Sequence, residues 1–204
     1  MLDTCALLPP RLSDVLFDLA LEGLYLPHWT AEIELEFIRN FQAVTGAATS
    51  GGAARRLGAF RAAARMRHEV FGHMDPSAIA RVPASVDKQD VHVASAALVL
   101  ARFADAGVDK VFLITANLED LPPDALAIQG VATLTPGAFI DALHAADAKR
   151  VQRALTRTLA DLKNPPYTAA ELLAALALHG ASATVKSLSK AWGVVPAKGL
   201  KRTR

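Results

Sequence analysis

A chain of 204 residues can bury one sizeable core with an appendage, and 52% hydrophobic against 21% charged residues excludes a disordered protein. A net charge of +2 does not by itself imply a nucleic-acid partner. No apolar stretch approaches the ~18 residues of a membrane span, and the single Cys5 excludes an intramolecular disulfide.

In chain order, Met1 leads straight to Asp3 with neither a basic nor an apolar leader region, which predicts no secretory signal and, with the lone cysteine, a cytoplasmic protein. A very short first strand is expected to end near Asp3. Pro9 and Pro10 precede a helix over 12–22, with Leu12, Val15, Leu16 and Leu19 on one face and Gly23 as its stop. After "LYLPHW" (24–29), Thr30 caps a helix striped with Ile33, Phe37, Phe41 and Val44. "TGAATSGG" (45–52) reads as a loop without the Gly-Lys-Ser/Thr ending of a phosphate-binding loop. A basic helix over 53–70 carries Arg55, Arg56, Arg61, Arg65 and Arg67. "DVHVASAALVLARFADAG" (90–107) is a helix apolar nearly all round, "KVFLIT" (110–115) a buried parallel strand, "VATLT" (131–135) another, and Pro136 opens a helix to about 147. Strands alternating with helices predict an α/β fold with a parallel sheet. Beyond Ala148 only helical patterns follow, over 148–162, 168–179 and 182–192, so the expected organisation is a core over 1–147 and a helical C-terminal extension over 148–204. That extension ends in a tail with Lys198, Lys201, Arg202 and Arg204. The two basic stretches read equally well as phosphate-binding patches or as solvated surface.

The acids hold the chemical interest. Asp90 shares a helix stripe with Ala94, Ala97 and Ala101, a face suited to close packing. Asp87 at the N-cap and Asp90 in the first turn would complement the helix dipole, but an acid on the packed side needs a partner or a metal. Glu36, between Glu32 and Asn40, reads alone as a solvated helix edge. Asp3 ends one strand, and Asn117 and Asp120 follow the end of another. In open α/β sheets, ligands bind outside those carboxyl ends. Converging carboxylates repel one another unless cations stand between them, and an oxygen-only set suits Mg²⁺ or Mn²⁺.

These segments, "LDTCALL…EIELEFIRNF" (2–41), "DKQDVHVASAALVL" (87–100) and "VFLITANLEDLPPDALAIQGVATLTPGAFI" (111–140), resemble the PIN-domain family, whose bacterial members are mostly VapC-like toxin ribonucleases. The resemblance implies a PIN-like three-layer fold, with a parallel sheet of about five strands flanked by helices. It also implies a Mg²⁺- or Mn²⁺-dependent endoribonuclease acting as the toxin of a type II toxin–antitoxin pair. The partners it implies are an RNA substrate, an antitoxin protein and a second copy in a homodimer, with no membrane. Matched residue by residue, Asp3, Glu36 and Asp90 fall on the family's acids. Either Asp120 or Asn117 completes the set, and Thr115 is the hydroxyl that supports it. Cys5 stands where Asn or Ser is common and is not read as a nucleophile. The C-terminal extension would hold the antitoxin, support a dimer or bind RNA. A degenerate site on an RNA-binding or protein-interaction module is the alternative, favoured by Asn117.

Other motifs carry less. His68, Glu69 and His73 in "HEVFGH" lack zinc-protease spacing, His92 reads as a packing or supporting histidine, and Trp29 and Trp192 as core or interface anchors.

Overall fold

The structure, a computed structural model, describes residues 1–45, 51–105, 109–162 and 166–199. The loop expected over 45–52 falls mainly on 46–50, which, with the start of "NPPYT" and the tail residues Lys201, Arg202 and Arg204, lies outside the described residues. The chain divides into two compact units, the first formed by 1–8 and 27–135, the second by 9–26 and 136–204.

In the first unit the helices are α1 (Thr4–Leu7), α3 (Ala31–Thr45), α4 (Gly51–Ala63), α5 (Pro76–Ile79), α6 (Val91–Phe103) and α7 (Pro123–Ala127). Strands β1 (Val111–Ile114) and β2 (Val131–Leu134) pair in parallel, Val111 opposite Val131 and Ile114 opposite Leu134. The α3 stripe buries Ile33, Phe37 and Phe41, and Phe37 meets Phe60 of α4 edge-on at 5.7 Å. Helix α6 packs on β1 and buries Val93, Ala94, Ala96, Ala97 and Leu98, as its apolar circumference predicts.

The expected five-strand PIN-like sheet is not what forms. Among the described residues the sheet has two strands, and most of the chain is helical. The segments around Leu2, Trp29 and Glu69 run alongside, but each makes only an isolated parallel bridge, Leu2 to Ile114 and Trp29 to Glu69. Bonds from the Leu2 N–H to the His28 carbonyl (2.7 Å) and from the Trp29 N–H to the His68 carbonyl (3.0 Å) link them to one another. The causes are local. Helix α1 begins at Thr4, which ends the extended segment at Asp3, and Pro27 has no N–H to donate. The basic helix expected to reach 70 stops at Ala63, because Arg65 and Met66 turn to φ of 52° and 57°. Arg61 there joins Glu34, with Nε 2.8 Å from Oε1, and the Trp29 indole donates to the same oxygen at 3.0 Å. Arg61 is thus a structural partner of a buried carboxylate.

The second unit contains α2 (Pro10–Leu21), α8 (Pro136–Ala146), α9 (Ala148–Asp161), α10 (Ala169–Leu178) and α11 (Ser182–Trp192). Leu12, Val15, Leu16 and Leu19 of α2 face the spacing-matched Val151, Ala154, Leu155 and Thr158 of α9. Thr168 and Glu171 form a reciprocal capping box at the start of α10. No helix among the described residues is long and apolar enough to cross a membrane.

Between α2 and α9 lies one poorly solvated acid. The Thr158 hydroxyl donates to Asp18 Oδ2 at 2.6 Å, yet burial pushes the Asp18 carboxyl up to about 6, with Asp161 and Asp14 adding to the effect. A folded-state pKa above the unfolded value means the native state binds the proton more tightly. Stability should therefore fall as pH rises from about 4 to about 6 and stay lowered above that. Asp18→Asn, which keeps an acceptor for Thr158, should raise stability at pH 8 by roughly 1 kcal/mol after allowance for solvent screening, and do little at pH 4. Urea midpoints at both pH values check this; equal gains at the two would rule out the titration.

Candidate functional site

Everything in this site lies in the first unit. The Asp3 N–H donates to the carbonyl of Ile114, the last residue of β1 (3.1 Å), and the Thr115 N–H donates to Leu134 at the end of β2 (3.0 Å). Asp3 and Thr115 are thereby fixed side by side at the carboxyl ends of the two strands. The buried Thr115 hydroxyl donates to Asp3 Oδ2 at 2.7 Å, and the Cys5 thiol donates to the same oxygen at 2.9 Å. Burial first, and then the Asp3 charge, push the Cys5 thiol up to about 12. It stays protonated as a donor, which suits a supporting group and not a nucleophile.

From Thr115 the network continues outward. The Asn117 N–H donates to the Thr115 hydroxyl oxygen at 2.9 Å, and its side-chain amide donates to Asp90 Oδ2 at 3.2 Å and to Asp120 Oδ2 at 2.9 Å. Facing two carboxylates, the amide must present its NH₂ and not its carbonyl. A backbone bond from Asp87 N–H to the Asp120 carbonyl (3.0 Å) ties the two loops together. Asp90, the residue before α6, is its N-cap, but its side chain makes no capping bond. Asp90 stands at the positive end of the helix without capping it, and its carboxylate turns to Asn117.

Of the expected site residues, Asp3, Asp90, Asp120, Thr115 and Asn117 stand in one hydrogen-bonded network. Glu36 joins it at one remove. The hydroxyl of Thr4, next to Asp3, donates to Glu36 Oε2 at 2.6 Å, and His92, two residues after Asp90, places Nε2 3.4 Å from Glu36 Oε1. The Gln89 carbonyl, 2.9 Å from His92 Nδ1, requires the proton on that nitrogen and so orients the ring. Thr4 was not singled out by the sequence. Its only signal was adjacency to Asp3, since its partner lies 32 residues away.

Electrostatics mark Asp90 as the crowded acid. Burial, then the charges of Asp3 and Asp120, push its carboxyl up to about 6. Oxygen donors under mutual repulsion fit a hard dication in their chemistry. As placed, however, no three His, Cys, Asp or Glu side chains among the described residues are grouped tightly enough to hold a metal ion. The carboxylates are spaced by hydroxyl and amide donors, so metal binding would need side chains to turn.

Comparison with known proteins gives a partial match. Residues 136–190, which span α8 to α11, match the VapC50 C-terminal domain family. No curated protein and no solved structure matches the chain.

Proposed function

We propose that the chain is a Mg²⁺- or Mn²⁺-dependent endoribonuclease, the toxin of a type II toxin–antitoxin pair with an antitoxin protein as its partner. The observation that carries this reading is the meeting of Asp3, Asp90 and Asp120 around Thr115 and Asn117 at the strand ends. The VapC-named match over 136–190 supports it independently. Asp3, Asp90 and Asp120 would hold the cation, with Glu36 as a further ligand or as the group that orients the attacking water. A dication held there would supply an activated water and neutralise phosphoryl oxygens. Thr115 and Cys5 orient the Asp3 carboxylate and Thr4 holds Glu36, while Asp90 and Asp120 would turn from Asn117 to meet the cation.

A second reading has its own observation. Asn117 turns N–H groups, not an oxygen, toward Asp90 and Asp120, which suits an RNA-binding or protein-interaction module that no longer cleaves. Incubating labelled RNA with the protein and Mn²⁺, with and without chelator, separates the two. Chelator-sensitive cleavage supports the nuclease. RNA binding without cleavage, indifferent to chelator, supports the module.

The same assay decides the fourth acid. Asp120→Asn should lower activity at least tenfold, roughly the size of effect seen when metal-site carboxylates or their supports are lost. Asn117→Asp should leave activity unchanged or mildly raised. Without metal it should destabilise, because it sets a third carboxylate against Asp90 and Asp120, and Mn²⁺ should stabilise it more than the parent chain. Glu119 is exposed, and Glu119→Gln should change nothing. An active Asp120→Asn beside an inactive Asn117→Ala would move the ligand role to Asn117.

A further inference from the structure

The second unit carries an open groove of about 450 Å³ lined by Glu22, Lys149, Gln152, Arg153, Thr156 and Arg157. Lys149, Arg153 and Arg157 follow one another at four-residue spacing along α9, so their charges project from one face a turn apart. Gln152 and Thr156 fill the adjacent row with neutral hydrogen-bonding groups. Glu22, the residue after α2, faces them with a carboxylate whose side chain is only 10% exposed.

That carboxylate organises the groove and does not neutralise it. Glu22 Oε2 accepts from Arg153 Nε at 3.3 Å and Oε1 from Arg157 Nη2 at 2.6 Å. Each guanidinium has five N–H donors, of which these bonds use one. The arginine side chains remain 60% and 42% exposed, so their other donors face solvent. The Glu22 carbonyl is also bonded to Arg150, which secures the end of α2 against the same helix. The outcome is three cations against one buried anion, with two planar forks held in fixed positions.

We propose that this groove binds the phosphate backbone of single-stranded RNA. Pre-set arginine forks match phosphate oxygens in pairs, and a polar, cationic lining is the mark of a nucleic-acid surface. An acidic protein partner fits less well, because none of the six lining residues offers the apolar or aromatic anchor on which protein interfaces depend. The inference rests on the ribonuclease reading for the identity of the nucleic acid, and it gives that reading a substrate-holding surface apart from the acids.

The test is fluorescence anisotropy of fluorescein-labelled oligouridylate, in chelator so that nothing is cleaved, across salt from about 50 to about 200 mM. Lys149→Gln with Arg153→Gln leaves Arg157 on Glu22. It should bind several-fold more weakly at low salt, with a salt slope shallower by about 1.4, at about 0.7 for each lost contact. Arg153→Lys with Arg157→Lys keeps the charge and loses the forks, so it should weaken binding with the slope unchanged. Urea midpoints near that of the parent chain show that both variants are folded. Unchanged affinity and slope in both would overturn the proposal, as would a polyglutamate peptide that competes for the groove better than RNA. Should the protein bind RNA through these residues yet cleave none in Mn²⁺, the nuclease reading fails and the groove stands.

Discussion

Asp90→Asn should abolish RNA cleavage while leaving the protein folded and slightly more stable at neutral pH. The loss of activity follows from removing one of three carboxylates proposed to hold the cation, since a neutral amide oxygen is a poorer ligand for a hard dication. The retained fold follows from three features of the structure. The Asp90 side chain makes no capping bond, so α6 loses no N-terminal partner. Asn can still accept the Asn117 amide that Asp90 accepts now. The charge removed is one that burial, Asp3 and Asp120 all oppose. The sign with pH is fixed by the direction of that shift. Because the folded carboxyl titrates near 6, above its ordinary value, the ionised form costs stability that grows as pH rises through about 4 to 6. The variant should therefore gain on the parent chain above about pH 6 and match it near pH 4. Cleavage at undiminished rate would remove Asp90 from the site. Loss of the folded state, seen by circular dichroism, would show that the helix start depends on the carboxylate after all.

The contrast between Asp90 and Thr4 shows what a sequence can disclose about such a site. An acid on an alanine stripe conflicts with its local environment, and that conflict is visible in the letters alone. Asp3 and Asp120 could be placed by a general rule, since polar residues that follow buried strands gather at the strand ends. Thr4 and His92 create no local conflict; each matters only through Glu36, and that contact exists only once α1, α3 and α6 have been brought together. The fold divides in the same way. Helices α2, α9 and α11 announce themselves by a 3.6-residue period sustained over three turns. Helices α1, α5 and α7, of four or five residues, are too short to show one. The sheet is overestimated because its five strands come from the family resemblance, whereas the residues themselves read as strands only near Asp3, over 110–115 and over 131–135. Around Leu2 and Trp29 pairing ends after a single bridge, cut short by the start of α1 and by Pro27.

Gly137→Ala should destabilise the second unit by about 3 kcal/mol or more, against the usual gain of roughly 0.5–1 kcal/mol from replacing a helical glycine. Gly137 lies in the first turn of α8, where a β-carbon would run into the His179 carbonyl oxygen, the Gly180 carbonyl carbon and the Ala181 nitrogen, all well inside van der Waals contact. All three are backbone atoms, so no side chain can swing aside. Neither wall has room to retreat. The turn is held by the Ala181 N–H on the Leu176 carbonyl (3.1 Å). Helix α8 is held by Asp141, whose carboxylate accepts from the Ala183 N–H (3.0 Å), the Thr184 N–H (2.8 Å) and the Thr184 hydroxyl (2.7 Å) at the start of α11. Inserting a methyl group must break one of these anchors or push α8 away from the turn. The matched control is Gly58→Ala on α4, where nothing lies within 4 Å of the added carbon. It should stabilise by the ordinary helical increment. At about 2–4 °C per kcal/mol for a chain of this size, the first variant should melt some 6–12 °C below the parent and the second slightly above it. A Gly137→Ala protein that melts as high as the Gly58→Ala control would show that α8 and the 179–181 turn do not meet at backbone contact.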